Sequence, residues 1–320
     1  MTHMLETIWY YCHQYWIDIQ DPRTADYAMI GGGAWKIAIV VFGYWLLVKK
    51  ILPNYMHNRQ PYDLKTVILI YNLMMILTNA AFFFFLIKYV EIQWFFDFKY
   101  PDRNDRSPLA MEMLWLSWFG YISRFFDMFD TIFFVLRKKY NQITFLHVYH
   151  HMIVPFLGWF SFKLNPLIPI IMLFAAFNTV IHVIMYSYYA LASFGPEMQK
   201  YLWWKKYITQ LQLLQFMVCG LYGILLYFQQ TGYPMIWFIV AVGQNPIFFY
   251  MFYDFYRQAY QDKSKKLDKN DKFKSTYIMN GNGKKVYEKK THTHTNQSIE
   301  DMLIDINFWN LNKFFIMFSN

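Results

Sequence analysis

Long apolar stretches separated by short polar connections occupy most of the chain up to about residue 256. A helix that crosses a bilayer takes about 20 mainly apolar residues. Seven stretches approach or exceed that length, at 31–48, 64–87, 114–136, 142–161, 167–190, 206–228 and 234–256. The pattern therefore predicts an all-α membrane protein with seven transmembrane helices.

The composition supports a membrane protein and argues against a soluble one. Hydrophobic residues make up 56% of the chain and charged residues 16%, whereas soluble domains carry about 25% charged residues. The N-terminus lacks the basic stretch and apolar core of a cleavable signal peptide. The two cysteines, Cys12 and Cys219, provide no disulfide framework.

The basic residues are distributed unevenly, and this predicts the orientation of the chain. Of the 30 Lys and Arg residues, 22 lie in four regions on one side of the predicted membrane, at 49–65, 137–139, 200–206 and 257–313. Loops rich in Lys and Arg stay in the cytosol. We therefore expect a cytosolic C-terminus and, with seven crossings, a lumenal N-terminus.

The same pattern divides the chain into three parts. Residues 1–30 are predicted to form a lumenal segment, 31–256 the membrane domain, and 257–320 a basic cytosolic tail that is largely disordered between 261 and 297. A basic tail could contact nucleic acid or anionic lipid, but membrane topology explains the charge more simply, so no nucleic-acid partner is expected.

Three of the nine histidines lie together in the fourth stretch. His147, His150 and His151 are spaced by three and four residues, which places them on one helical face. Imidazole can serve as a base, an acid or a nucleophile near neutral pH. Because ionisable groups inside a membrane are costly, this face is a candidate catalytic site. Structural hydrogen bonds are the alternative role of the three rings.

The third stretch carries Arg124, Asp127 and Asp130 at spacings of three. A buried charge needs a partner, so an ion pair between Arg124 and Asp127 is one interpretation. The other is that Asp127 or Asp130 orients a catalytic imidazole by accepting the second ring N–H. The sequence leaves both open.

The fifth and sixth stretches add polar groups at helical spacing. Asn178, His182 and Tyr186 follow one another at intervals of four, and Gln212 precedes Gln215 by three. These side chains are candidate substrate-binding or catalytic groups, although amides in membrane helices also simply join helices together.

A run of histidines also suits a metal site. Membrane desaturases and hydroxylases carry such a run within about eight histidines spread over several motifs. Beyond the four in the predicted helices, the remaining histidines lie in termini or connections. No metal ligands are therefore expected, and a di-iron site is the less favoured enzyme alternative.

These motifs, taken in order, resemble those of the very-long-chain fatty acid elongases, over about residues 27 to 260. The histidine motif reads Thr-Phe-Leu-His-Val-Tyr-His-His, and the acidic motif Ser-Arg-Phe-Phe-Asp-Met-Phe-Asp-Thr where the family has Ser-Lys-x-x-Glu-x-x-Asp-Thr. The resemblance rests on residues 58–62, 71–72, 123–131, 144–151, 178–189 and 209–216.

The resemblance implies an acyltransferase of the endoplasmic reticulum membrane. It would condense a long-chain acyl-CoA with malonyl-CoA to give a 3-ketoacyl-CoA, CO2 and CoA, the first and rate-limiting step of the elongation cycle. The only small molecules expected are these two substrates, with no cofactor. The enzyme could associate with a second copy of itself or with the other enzymes of the cycle.

Within that reaction, an imidazole is the expected nucleophile. Soluble condensing enzymes use a cysteine, but Cys219 has no histidine in sequence reach. Our hypothesis is that His150 takes the acyl group, while His147, His151 and His182 orient the reactants, act as base or donate to the enolate oxygen. A direct reaction without an acyl-enzyme is the alternative.

Two clusters of basic residues are candidate sites for the CoA phosphates. The first contains Arg137, Lys138 and Lys139, and the second contains Lys205 and Lys206. Setting the topology is their alternative role. Arg124 and Asp127 depart from the Lys and Glu of the family motif, and the chain ends without a dibasic retrieval signal.

Other classes of protein share some of these features. A signalling receptor also has seven helices with the N-terminus outside, but the polar residues here cluster as a catalytic set would. A transporter is less favoured because no repeated halves are visible. Release of CO2 from malonyl-CoA would separate the enzyme from both.

Overall fold

The computed structural model describes residues 2–96, 98–229 and 232–261, and within these ranges all regular structure is helical. The α-helices are α1 (Thr2–Trp9), α2 (Tyr15–Asp18), α3 (Trp35–Leu46), α4 (Leu52–Met56), α5 (Lys65–Tyr89), α6 (Pro108–Phe126), α7 (Phe129–Leu136), α8 (Phe145–Leu164), α9 (Pro169–Ala192), α10 (Lys205–Phe228), α11 (Met235–Trp237) and α12 (Gln244–Tyr256). π-helical turns join α1 to α2, α3 to α4 and α11 to α12. The prediction of an all-helical chain is confirmed for these residues.

Four of the described helices are long and apolar enough to cross a membrane. They are Lys65–Tyr89, Pro169–Ala192, Lys205–Phe228 and the combined helix Met235–Gln261. The other predicted crossings are interrupted or more polar. The helix that starts at Trp35 changes to π-helical turns before Lys49 and Lys50, and α8 carries the histidines and Lys163.

Several helix boundaries differ from the predicted ones. The first helix begins at Trp35 rather than residue 31, because the glycines before it form a loop, and its helical path continues to Met56. The third begins at Pro108, where Ser107 caps it by accepting a hydrogen bond from the Ala110 N–H. It is also broken at Asp127, between α6 and α7.

The helices pack so that the polar segments face one another. Helix α5 lies against α9, α10 packs between α9 and α12, and α8 contacts both α3 and α6. The largest buried cluster includes Trp159, Phe160 and Trp237, near the end of α8. The outer faces of α5 and α10 expose large apolar side chains, as lipid-facing helices do.

The segment between α2 and α3 closes one end of this bundle. Asp21 and Arg23 form a buried ion pair at 2.7 Å, and Arg23 also donates to Oδ1 of Asn165 at 3.1 Å. The ammonium of Lys163, which is fully buried, donates to Oε1 of Gln20 and to the carbonyl of Gly32. The N-terminal segment is therefore packed against the C-terminal end of α8, and we call this contact the cap.

The predicted tail from residue 262 onward, including its disordered part, lies outside the described residues. The division of the chain at residues 30 and 256 stays a prediction. The helix at Gln244–Tyr256 continues as a π-helical turn to Gln261, five residues past the predicted end of the membrane domain.

Candidate active site

The histidine motif begins at the first turn of α8. Thr144 precedes the helix in an extended conformation, and its side-chain oxygen accepts a hydrogen bond from the His147 N–H at 3.2 Å. This is the usual role of threonine at a helix N-cap. The hydrogen bond to Thr144 fixes where α8 starts, and the three histidines follow within the first two turns of that helix.

The three imidazoles lie in contact, as their spacing predicts. The ring centroids of His147 and His151 are 4.3 Å apart, and those of His150 and His151 are 5.2 Å apart. Nε2 of His147 is 2.8 Å from the hydroxyl of Thr131, which lies 2.6 Å from the hydroxyl of Tyr44. One ring of the three is thus fixed by side chains of α7 and α3.

The nitrogens of His150 have no such partner. In the described part of the chain, no hydrogen bond is formed by the imidazole of His150 or of His151. His151 is almost completely buried between His147 and Tyr44, whereas His150 is half-buried beside Phe248. His150 is therefore the ring best placed to react with a bound molecule.

The break between α6 and α7 positions the charged residues. The N–H of Met128 donates to the carbonyl of Phe125 and that of Asp130 to the carbonyl of Asp127, so these bonds reach three residues back instead of four and tighten the turn. Arg124, one turn earlier, donates to Oδ1 of Asn178 at 3.2 Å and to Oδ1 of Asn79 at 2.6 Å. Its Nη1 also lies 2.7 Å from Nδ1 of His182.

Arg124 and Asp127 form an ion pair at 3.3 Å, and both are largely buried. Oδ2 of Asp127 lies 3.9 Å from Nδ1 of His182, beyond hydrogen-bond length. The direct partner of His182 is thus the guanidinium and not a carboxylate. Because a guanidinium has no acceptor, Nδ1 of His182 must accept this bond, and the ring proton is then on Nε2.

Tyr186 joins the two acidic residues. Its hydroxyl lies 2.9 Å from Oδ1 of Asp127, 3.0 Å from Oδ2 of Asp130 and 3.2 Å from the hydroxyl of Tyr71. Tyr71 in turn donates to the carbonyl of Phe126 at 3.1 Å. The structure therefore brings Arg124, Asp127, Asp130, Asn178, His182 and Tyr186 into one buried cluster.

The two glutamines are less closely associated with this cluster. Gln215 is buried on α10, and its Nε2 has no hydrogen-bond partner among the described residues. It lies one turn before Cys219, which lines the cavity described below. Gln212 is only partly buried.

The basic candidates lie outside the buried cluster. Lys205 and Lys206 are exposed at the start of α10, beside the rings of Tyr188 and Tyr207. In the other group, Lys138 donates to the carbonyl of His57 at 3.2 Å and follows the end of α7 in a left-handed conformation. Arg137 and Lys139 flank it and are half-buried.

Several residues of the site were not predicted from the sequence as members of it. Asn79 binds Arg124, and Thr131 and Tyr44 hold His147. Asn79 had a detectable signal, since it is an amide within an apolar stretch, seven residues after Asn72 and so on the same face. Tyr44 had none, because tyrosine occurs 27 times in this chain.

A mainly apolar cavity of about 170 Å³ adjoins the cluster. At one end its lining includes Arg124, Asn178 and Phe248, the residue beside His150. At the other end it includes Pro166 and Trp237, next to the cap. The cavity therefore leads from the polar cluster toward the end of the bundle that the N-terminal segment closes.

In the part of the chain that the structure describes, the reactive side chains do not form a cluster suited to a metal ion. Among the residues that the structure describes, no three His, Cys, Asp or Glu side chains converge as ligands would. The arrangement instead provides two anchored imidazoles, two imidazoles without hydrogen bonds, a guanidinium and two carboxylates beside an apolar cavity. Such a set can perform nucleophilic and general acid–base chemistry on a molecule with a long apolar part.

Comparison with known proteins gives consistent matches over the membrane part of the chain. Residues 32–268 match the model of the ELO: GNS1/SUR4 family. Very long chain fatty acid elongase 7 of Drosophila melanogaster is 37% identical over 254 residues, which is 77% of this chain and 75% of that protein. Elongase 7 of Rattus norvegicus is 36% identical and elongase 1 of Homo sapiens 34% identical, each over 77% of this chain and 87% and 88% of the relative.

Proposed function

The chain belongs to the ELO: GNS1/SUR4 family, and we propose that it lengthens fatty acids by condensing a long-chain acyl-CoA with malonyl-CoA. The observation that carries the proposal is the position of His150. Its imidazole has no hydrogen bond in the described part of the chain, it lies beside the cavity residue Phe248, and it adjoins two histidines of the same face.

In the first step, an unprotonated nitrogen of His150 attacks the thioester carbonyl of the acyl-CoA. A C–N bond forms, the C–S bond breaks, and CoA leaves as the thiolate. The attacking nitrogen must be unprotonated and free of a hydrogen bond, because its lone pair forms the new C–N bond. The cysteines offer no such group, since Cys219 lies in the apolar wall of the cavity.

In the second step, malonyl-CoA loses CO2. The electron pair of the broken C–C bond passes into an enolate of the remaining acetyl-CoA, whose α-carbon attacks the acyl carbon bound to His150. A C–C bond forms, the C–N bond breaks, and the product is a 3-ketoacyl-CoA two carbons longer. No base is needed to form the carbanion, because decarboxylation supplies the electron pair.

The anchored groups would stabilise the charge that develops in these steps. With Nδ1 of His182 occupied by Arg124 at 2.7 Å, Nε2–H remains a donor for an enolate or tetrahedral oxygen. The contact of His147 with Thr131 similarly fixes that ring. Donors that are already oriented need no rearrangement as the oxyanion forms, which is the main advantage of a preorganised site.

The cavity is the proposed site of the acyl tail. Its lining is mainly apolar, and its one charged side chain among the described residues, Arg124, lies with Asn178 at one end, so a thioester at that end places the tail along Gly120, Ala175 and Cys219. Each buried CH2 contributes about 0.8 kcal/mol to binding. The depth of the cavity up to Trp237 would therefore favour acceptors of limited length.

We further propose that the enzyme spans the endoplasmic reticulum membrane seven times, with the N-terminus lumenal and the C-terminus cytosolic. The segments would be α3 with α4, α5, α6 with α7, α8, α9, α10, and α11 with α12. The excess of Lys and Arg at 49–65, 137–139 and 200–206 supports this orientation. Arg137, Lys138, Lys139, Lys205 and Lys206 would then meet the phosphates of CoA, and association with a second copy or with the other enzymes of the cycle would occur in the same membrane.

The test is incorporation of labelled malonyl-CoA by membranes that contain the protein, with acyl-CoA acceptors of increasing length. The His150→Ala variant should lose incorporation, while His57→Ala, in an exposed loop outside the cluster, should retain it. No incorporation with any acceptor, in protein that inserts correctly, would overturn the proposal in favour of a receptor, a transporter or another enzyme.

A separate experiment distinguishes the covalent route from a direct one. The enzyme is incubated with labelled acyl-CoA in the absence of malonyl-CoA and then digested, and the peptides are examined by mass spectrometry. An acyl group on His150 is expected. Intact elongation with no acylated histidine would leave the condensation standing and remove the acyl-enzyme.

A further inference from the structure

The N-terminal helical segment, Thr2–Asp18, lies outside the stretch that matches the family. It consists of α1, the π-helical turn Tyr10–Gln14 and α2, which follow one another without interruption. Large apolar side chains of its first part are exposed, by 60% at Met4, 57% at Leu5, 50% at Ile8 and 63% at Trp9. In water this would be an unusual concentration of apolar surface on a single short element.

The apolar and polar residues of α1 lie on opposite faces. Met4, Leu5, Ile8 and Trp9 are spaced by one and four, which places them together, and Cys12 follows Ile8 by four. On the other face lie His3, Glu6 and Thr7, where the Thr7 hydroxyl donates to the His3 carbonyl at 2.8 Å. The segment is an amphipathic helix whose apolar face the described part of the bundle leaves uncovered.

The segment joins the bundle at its capped end. The ring of Trp16 is 4.9 Å from that of Trp159 between centroids, and His13 packs so closely on Gly33 that a Cβ there would lie 2.2 Å from its Nδ1. Two residues later α3 begins with Trp35, and Ile39 on its next turn is 62% exposed. The helix therefore emerges beside the point where α3 presents apolar side chains to the lipid.

The composition of residues 2–18 is typical of a segment that contacts the headgroup region of a lipid bilayer. Residues 2–18 contain no Lys or Arg, two acidic residues (Glu6 and Asp18), and the aromatic residues Trp9, Tyr10, Tyr11, Tyr15 and Trp16. Trp and Tyr favour the level of the lipid headgroups, because their rings are apolar with a polar edge. Attraction to anionic lipid would need basic residues instead.

We propose that Thr2–Asp18 is an interfacial anchor that lies on the bilayer surface at the capped end of the bundle, with Met4, Leu5, Ile8 and Trp9 among the lipid headgroups and acyl chains. Helices with a strong apolar face and a polar opposite face bind membranes in this way. Two residues after the anchor, the side chain of Gln20 accepts a hydrogen bond from buried Lys163 at 2.6 Å. The anchor would therefore also hold the cap against the end of α8.

The chain offers a native probe for this proposal. Cys12 is exposed on the apolar face, whereas Cys219 is fully buried. The full-length protein is spin-labelled at Cys12 and reconstituted in phosphatidylcholine nanodiscs. Collision rates with oxygen, which concentrates in lipid, and with a water-soluble nickel chelate are then compared by electron paramagnetic resonance. The matched control is a label on the polar face, at Thr7→Cys in the Cys12→Ser background. Leu77→Cys in the same background is the lipid-facing reference.

The label at Cys12 should collide more with oxygen than with nickel, as at Leu77, and the label at position 7 should show the reverse. Addition of phosphatidylserine or salt should leave both ratios unchanged, because no basic residue takes part. Ile8→Gln with Trp9→Gln should shift the Cys12 label toward the aqueous ratio. Retention of oxygen preference in that variant would overturn the assignment of the apolar face.

Two other outcomes would also overturn the proposal. If labels at positions 7 and 12 both collide frequently with the nickel chelate while the label at position 77 does not, the N-terminal helix lies in water. Dipolar broadening of the Cys12 signal that disappears on dilution with unlabelled protein would show that the face is covered by a second copy. Elongase activity is measured in the same samples, so failure of the anchor and failure of the enzyme are separate results.

Discussion

The hydroxyl of Tyr186 lies between the carboxylates of Asp127 and Asp130, 2.9 Å from one and 3.0 Å from the other. A phenol has a single proton and can donate to only one of them at a time. The two carboxyl groups therefore share one donor. Asp127 also pairs with Arg124 at 3.3 Å, so the tyrosine links this ion pair to Asp130.

The first prediction follows from this arrangement. Tyr186→Phe leaves the buried carboxyl group of Asp127 and the half-buried one of Asp130 without their shared partner, at a cost of about 1–3 kcal/mol in the free energy of unfolding. We expect a lower melting temperature in detergent and a fall in elongation activity. Tyr253→Phe, on the exposed side of α12, is the matched control. Unchanged stability and activity in Tyr186→Phe would contradict the described hydrogen bonds.

The second prediction concerns the ion pair of Arg124 and Asp127, both largely buried. Arg124→Gln and Asp127→Asn should each destabilise the protein by about 3–5 kcal/mol, because each leaves one buried charge unpaired. The double variant should cost less than the sum of the two. Arg257 and Asp254, which also lie three residues apart but are more exposed, form the control pair, with a coupling below about 1 kcal/mol. Strict additivity at Arg124 and Asp127 would show that the pair contributes nothing.

The third prediction tests whether the two departures from the elongase motif compensate each other. The guanidinium of Arg124 reaches Asn79, Asn178 and His182 from two nitrogens, which a lysine ammonium cannot match geometrically. Arg124→Lys alone should lower kcat. Arg124→Lys combined with Asp127→Glu should recover part of the lost kcat, because the longer side chain of glutamate can reach the shorter side chain of lysine. A double variant less active than both single variants would refute compensation.

The fourth prediction concerns the length of the acyl chain. Ala175 is on the wall of the cavity, and leucine there would occupy space that we assign to the tail. Ala175→Leu should shift the preferred acceptor toward shorter chains, with each lost CH2 contact lowering binding by about 0.8 kcal/mol. Ala81→Leu, exposed on α5, controls for the added bulk. A uniform loss of activity at all lengths would argue that the tail lies elsewhere.

Much of the helical architecture follows from the sequence, because a bilayer forces long apolar runs into helices. The ends of the helices were less predictable. The helix that begins at Trp35 continues to Met56, past Lys49 and Lys50, since nothing in a helix requires it to stop at the membrane boundary. At the break, Asp127 accepts a hydrogen bond from Tyr186 of α9, a contact between helices that no local pattern reveals.

The histidine contacts were predictable from spacing, since His147, His150 and His151 belong to one helix. The contacts between helices were not. Asn79 and Arg124 are 45 residues apart in sequence, and which pairs of membrane helices become neighbours is set by packing and not by apolarity. For the same reason, the sequence left open whether a carboxylate orients an imidazole, and in the structure the guanidinium of Arg124 is the direct partner of His182.

The cap joins residues that are synthesised far apart in time. The Asp21 N–H donates to the carbonyl of Lys163 at 2.8 Å, and the Thr24 hydroxyl donates to the carbonyl of Phe162 across 138 positions of sequence. Contacts of such sequence separation form late in folding, because a long loop must close first. Residues 20–24 can therefore form these contacts only after α8 has been made, and the wall of the cavity at Trp237 is added later still. Closure of the far end of the cavity is thus a late step in the maturation of this protein, because it joins residues 20–24 to elements that are all made after them.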